Sequence, residues 1–168
     1  MAPNLVVRDV RPDDAEAVVS ILNPIVEAGV YTVLDVPFTI EEEREYIESF
    51  PPRGVFHVAE HPQDGEIVGL QSIEPFATYT HAFDHVAVMG TYVSLSYLRQ
   101  GIGRRMSEVT FEAARHKGYE KIFTYVRADN PGSLAFHVEL GFRIVGTAER
   151  QAKTGPRYVD EVIIEMFL

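Results

Sequence analysis

Apolar residues along the chain follow two rhythms, one helical and one alternating. Ala17, Val18, Ile21, Leu22 and Ile25 form a helical stripe behind the turn Arg11–Asp14, whose aspartates suit a first turn. Pro24 is expected to kink or end that helix after Asn23. A capping box, Thr39-Ile40-Glu41-Glu42, opens a second helix that runs to Phe50. Its inward positions read as Ile40, Tyr46 or Ile47, and Phe50, while Glu41, Glu42, Glu43, Glu45 and Glu48 read as a solvated face, with attraction of a cationic substrate as the lesser reading. Ile102, Met106, Val109 and Ala113 mark a third helix, and Asn130 to Leu140 a short fourth that Gly141 stops.

Strand patterns cover Leu5–Arg8, Val55–Glu60, Glu66–Ile73, Val86–Ser94, Lys121–Arg127, Phe142–Ala148 and Val159–Leu168. Turns at His61–Gly65 and Lys153–Pro156 join two of the pairs as hairpins. Residues 26–37 are aperiodic and read as a loop whose Tyr31 and Val33, with the adjoining Phe38, plug the core or line a pocket. The order is β-α-α-β-β-β-α-β-α-β-β, an α/β (α+β) chain with neither repeat nor linker, hence a single domain over 1–168. The strand–helix–strand unit between Val86 and Arg127 predicts a parallel pair with a right-handed crossover.

Within that unit, Gly90 to Lys117 reads strand, glycine loop, helix. The first turn of a helix presents backbone N–H groups without intrahelical partners, and the macrodipole favours an anion there. Gly101 and Gly103 let backbone approach a ligand, and Arg99, Arg104 and Arg105 add positive charge, so a phosphate or pyrophosphate is the natural guest. A dinucleotide fingerprint would need glycine at Met106, and a Walker loop would need Gly-Lys-Ser/Thr, so both are set aside. A glycine turn that merely starts a helix close to a strand is the plain alternative.

Composition narrows the partners. A formal charge of -10 argues against a nucleic-acid binder, and zero cysteines exclude disulfides, a thiolate nucleophile and cysteine-ligated metal. The start lacks the basic and apolar regions of a leader, and no run reaches the ~18 apolar residues of a membrane span, so a cytoplasmic protein away from membranes is expected.

With this order in hand, the chain resembles the GNAT superfamily of acetyl-CoA-dependent N-acetyltransferases over nearly its full length. Leu98-Arg99-Gln100-Gly101-Ile102-Gly103 aligns with the superfamily's pyrophosphate loop, and Asn130 to Phe142 (NPGSLAFHVELGF) with its Asn-x-x-Ser/Ala and Leu-Gly-Phe element. The likeness is greatest to the phosphinothricin-acetyltransferase-like branch, through Asn23, Pro37-Phe38-Thr39, Thr91-Tyr92-Val93-Ser94 and His137.

The resemblance implies a mixed, mostly antiparallel sheet of about seven strands, with a splayed parallel pair and helices on both faces. It implies acetyl-CoA as co-substrate, no metal, a homodimer through the last strand or adjoining loop, and direct acetyl transfer to the primary amine of a small molecule such as an amino acid or its analogue. Backbone groups of Thr91, Tyr92 and Val93 would bind the pantetheine arm and polarise the acetyl carbonyl, which makes Tyr92 a catalytic position too. Arg99, Gln100, Gly101, Ile102, Gly103 and Arg104 would supply pyrophosphate amides. Asn130 and Ser133 would lie on the cofactor side, although Asn-Pro is equally a helix N-cap pair.

Three departures bear on mechanism. Leu98 stands where the superfamily usually has Gln or Arg, so backbone must carry the phosphate contacts. His137 holds the place of a frequent tyrosine acid, as proton donor or as packing. Val88 stands where related enzymes often have a glutamate base, which leaves His85 as the expected base, with Asp84 and His81 behind it. His81 and His85 could also be spaced as a metal pair, but no third ligand is evident. The acceptor wall is expected from Tyr31, Val33, Phe38, Phe76 and Tyr92. A peptide or protein N-acetyltransferase, and an acyl-CoA-binding module without chemistry, are the competing readings.

Overall fold

A seven-stranded sheet in the order β1-β2-β3-β4-β5-β7-β6 organises the computed structural model, which describes residues 4–168. Residues 1–3, where the N-terminal reading above begins, lie outside the described residues. The strands are β1 (Val6–Asp9), β2 (Val55–Glu60), β3 (Ile67–Pro75), β4 (Val86–Val93), β5 (Lys121–Arg127), β6 (Arg143–Thr154) and β7 (Arg157–Phe167). The helices are α1 (Ala15–Ala28), α2 (Ile40–Glu48), α3 (Ile102–His116) and α4 (Pro131–Glu139). Only β4 and β5 pair in parallel; every other ladder is antiparallel. Among the described residues, no helix is long and apolar enough to cross a membrane.

Register assigns the two faces. Leu70, Ser72 and Glu74 of β3 stand opposite Tyr92, Gly90 and Val88 of β4, and directly opposed residues share a face. Leu70 packs with Val18 and Leu22 of α1, Ile47 of α2 and Phe56 and Val58 of β2, so this face is covered by α1 and α2. The alternate residues Ile73, Ala87 and Met89 pack with Phe111 and Ala114 of α3 on the other face. A slip of one residue would exchange the faces, so these two apolar sets specify the register.

Three local readings are corrected. The first helix runs through Pro24 to Ala28 and ends on Gly29, whose left-handed φ of 69° closes it. Proline removes one N–H there, but Ser20 and Pro24 are both exposed, so water can satisfy the freed carbonyl while Ile21, Leu22, Ile25 and Val26 stay buried. The inward face of α3 is Ile102, Met106, Ser107, Thr110, Phe111 and Ala114, rather than the stripe through Val109 and Ala113. Its two hydroxyls are paired: Gln71 Nε2 donates to Ser107 Oγ (3.0 Å) and Thr110 Oγ1 lies 3.0 Å from His57 Nδ1. In α2, Ile40 and Tyr46 are exposed, and the buried residues are Ile47 and Glu43.

Candidate active site

The parallel ladder between β4 and β5 consists of two registered pairs, Val86 with Lys121 and Ala87 with Ile122. Past Ala87 the strands part, and the Thr124 hydroxyl reaches back across the gap to donate to the Met89 carbonyl at 2.9 Å. Strand β4 remains fully paired to β3 as far as Val93. Its other edge, from Gly90 to Val93, therefore faces an opening that can accept an extended ligand along main-chain groups.

The glycine loop lies at the end of that opening. A short 3-10 turn at Leu95–Tyr97 starts it, and the Tyr97 hydroxyl ties it to Glu66 at 2.6 Å. Arg99 (φ 63°) and Gly101 (φ 79°) both take the left-handed region, and the non-glycine outlier marks a segment held by its surroundings. Gly101 is the N-cap of α3 and supplies no side chain, and no acidic residue occupies the first turn. The N-terminal N–H groups of a 15-residue helix thus lack a side-chain cap. Leu98, Arg99 and Gln100 are exposed, Arg104 pairs with Glu139 at 3.3 Å and Arg105 with Glu108 at 2.8 Å. Gly103 has a second reason to be glycine: a Cβ there would stand 2.9 Å from the Phe136 ring of α4. The close seating of α4 on α3 depends on it.

A cavity of about 430 Å³ opens on the α1/α2 face of the same strands. Its floor is the three opposed pairs Leu70/Tyr92, Ser72/Gly90 and Glu74/Val88, and the small middle pair hollows it. A Cβ on Gly90 would press on the Tyr92 ring at 3.2 Å and on Ser72 Oγ at 3.3 Å. Walls come from Leu22, Leu34, Phe38, Glu43 and Tyr46. Burial lifts the Glu43 carboxyl to about 7, and its Oε1 has no hydrogen-bond partner. The Tyr46 hydroxyl donates to Glu74 Oε1 at 2.7 Å, and burial followed by this carboxylate holds the phenol well above its ordinary value. Burial likewise raises Tyr92, which keeps its hydroxyl protonated.

The loop that roofs this cavity, residues 29–39, is tied at three places. Asn23 clamps the Phe38 peptide from both sides, with Nδ2 donating to its carbonyl and Oδ1 accepting from its N–H, each at 2.9 Å. Arg127, 8% exposed, donates to the carbonyls of Gly29 (3.0 Å) and Thr32 (2.9 Å) and holds Asp129 bidentately. Asn130 Nδ2 donates to the Tyr31 carbonyl at 3.3 Å while its Oδ1 caps α4 at the Ser133 N–H. Asn130 is thus the N-cap of α4 as well as a tie to the loop.

The expected site residues divide accordingly. Thr91, Tyr92 and Val93 lie on β4 along the opening, and Arg99 to Arg104 form the turn into α3. Phe38 and Tyr92 line the cavity; Tyr31 and Val33 do not, the former facing outward. Phe76 follows Glu74 by two residues, stacks edge-on with Phe83 and Phe123, and does not line the cavity. His85 lies ahead of the paired end of β4 with its side chain exposed, outside the cavity wall, and its carbonyl accepts from the Glu120 and Lys121 N–H groups. His137 is 7% exposed between Phe136 and Phe142, with Nδ1 2.7 Å from the Ser133 carbonyl. Burial lowers its pKa, so it stays neutral, and the Nδ1 proton is directed at that carbonyl.

Glu43, Glu74 and Arg127 are the additions. Glu43 shares a helical stripe with Ile47 and Phe50 at spacings of four and three, a signal masked by the other glutamates. Glu74 continues the alternation Leu70, Ser72, Glu74. Nothing in the sequence around Arg127 announces its distant partners.

Known proteins share this fold. A phosphinothricin N-acetyltransferase from Streptomyces coelicolor is 27% identical over 156 residues, 90% of this chain and 91% of that one. A ribosomal-protein-alanine N-acetyltransferase from Brucella melitensis superposes with a TM-score of 0.89 at 25% identity, over 98% of this chain and 100% of the other. A phosphinothricin acetyltransferase from Sinorhizobium meliloti, solved in complex with AcCoA, superposes with a TM-score of 0.88 at 20% identity, over 100% and 89%. Residues 21–142 match the acetyltransferase (GNAT) family. That span includes the strand opening, the glycine loop and α4, and the chain belongs to this family of acyltransferases.

Proposed function

We propose that this protein is an acetyl-CoA-dependent N-acetyltransferase that moves an acetyl group directly to the primary amine of a small molecule. The observation that carries the reading is the conjunction of an open β4 edge, an uncapped α3 N-terminus at one end of it and a cavity on the α1/α2 face of the same strands. The helix terminus suits a pyrophosphate, held by the amides from Arg99 to Arg104 and by the charge of Arg99. Main-chain groups of Thr91 and Val93 suit the amides of the pantetheine arm. The Tyr92 hydroxyl, kept protonated by burial, is the donor available to the developing oxyanion or the departing thiolate.

The cavity, at about 430 Å³ and roofed by a loop tied at three points, fits a small amine better than an extended peptide. The proposal includes a homodimer, supported by exposed Ile144 and Val145 on edge strand β6 and Tyr158 and Phe167 on β7. Acetyl-CoA at about a hundred times its Kd is expected to stabilise the fold by about 2.7 kcal/mol, and primary amines to release CoA thiol. An unchanged melting temperature with acetyl-CoA, and no thiol from any amine, refutes the proposal.

A further inference from the structure

The acceptor cavity carries charge of one sign. Glu43 is 3% exposed, its Oε1 is unpartnered, and it reaches the cavity from α2. Glu74 reaches it from β3 and accepts only the neutral Tyr46 hydroxyl. Among the described residues, no lysine, arginine or histidine lines the cavity. Besides Glu43 and Glu74, the titratable groups lining the cavity are Tyr46 on α2 and Tyr92 on β4, and Leu22, Leu34 and Phe38 are among its apolar residues.

A buried charge is tolerated when it is paired, and an unpaired one is expensive. Glu43 is therefore a group whose natural partner is missing from the protein itself. An ammonium supplies that partner. A carboxylate or phosphinate on the same ligand would meet two acidic side chains and no cation. The apolar remainder of the wall, with Leu22, Leu34 and Phe38, suits an aliphatic or aromatic body.

Resting on the acetyltransferase reading above, we infer that the acceptor is a primary amine bearing no carboxylate, and that Glu43 accepts the proton its ammonium must lose, with Glu74 as the second anion that holds it. The family's frequent base position is Val88, and its cross-strand partner is Glu74. The carboxylates thus approach from β3 and α2 instead of β4. In the reaction Glu43 takes one proton from R–NH3+. The freed lone pair attacks the thioester carbonyl, the C–N bond forms and the C–S bond breaks. The nitrogen's second proton passes to the leaving thiolate, giving the amide and CoA thiol, and Glu43 returns its proton to solvent. Glu43, its carboxyl lifted by burial to about 7, is poised for this exchange near neutral pH.

The test compares matched pairs that differ in one carboxylate: phenethylamine against phenylalanine, 3-methylbutylamine against leucine, and 3-(methylthio)propylamine against methionine. The expected result is a kcat/KM at least a hundredfold higher for the amines. In Glu43→Gln, kcat for the amines should fall at least thirtyfold and lose its rise with pH through about 7. Amino acids turned over as well as their amines overturn the inference. So does a Glu43→Gln enzyme that folds, binds acetyl-CoA and keeps the wild-type pH profile. No turnover of either set, with acetyl-CoA still raising the melting temperature, overturns it while leaving the cofactor reading standing. No effect of acetyl-CoA on melting removes that reading and the inference with it.

Discussion

Replacing Glu43 by glutamine should stabilise the protein, and by an amount that depends on pH. The carboxyl ionises at about 7 in the native state against 4.5 in the unfolded chain, because burial penalises the charged form and no cation compensates it. The native state therefore binds this proton more tightly than the unfolded state does. Stability contributed by the group is fully present below pH 4.5 and is lost as pH rises to about 7. At about 1.36 kcal/mol per pKa unit, the interval corresponds to about 3 kcal/mol. Glutamine has nearly the same shape and no charge to bury. The gap in unfolding free energy between Glu43→Gln and wild type should thus grow by about 3 kcal/mol from pH 4 to pH 9. Paired urea titrations across that range measure it, and the same gap should appear near pH 9 as a melting-temperature increase of about 6–12 °C. A gap that is constant with pH refutes the reasoning, since it would mean that Glu43 finds a cation or water in solution. A more stable enzyme that has lost its base would be a trade of stability for activity.

Other expectations test the support around the site. Asn23→Ala removes both bonds to the Phe38 peptide and should destabilise by about 1–3 kcal/mol while raising the KM for amine more than it lowers kcat. Arg127→Met leaves the Gly29 and Thr32 carbonyls unpaired, and amide exchange of residues 29–33 should accelerate at least tenfold relative to the sheet. Gly103→Ala drives a methyl into the Phe136 ring, at a cost of about 1–3 kcal/mol in thermal unfolding, and should weaken acetyl-CoA in calorimetry. Tyr92→Phe should bind acetyl-CoA normally yet lose about tenfold or more in kcat.

Much of the fold was legible because it is locally encoded. The Thr39 capping box, the strands at Val55–Glu60 and Lys121–Arg127, and the turn at Gly101 follow from residue types within a few positions of one another. Local rules failed where a distant surface overrode them. Pro24 remains inside α1 because the buried stripe packed on the sheet outweighs one lost backbone bond at an exposed position. Ser107 and Thr110 face inward because Gln71 and His57 wait there.

The chemistry divides along the same line. Sequence alone determined the glycine loop and its helix, since backbone conformation and an uncapped first turn are written in adjacent residues. It also determined what is missing: neither a cysteine nor a glutamate at Val88. Only the tertiary structure decided which carboxylates serve the acceptor. Glu43 is one of five glutamates on a nine-residue helix, and burial singles it out because α2 turns that one residue into the cavity that Ser72 and Gly90 also line. Electrostatic free energy depends on what surrounds a charge, and those surroundings come from α1, β3 and β4, far away in the chain.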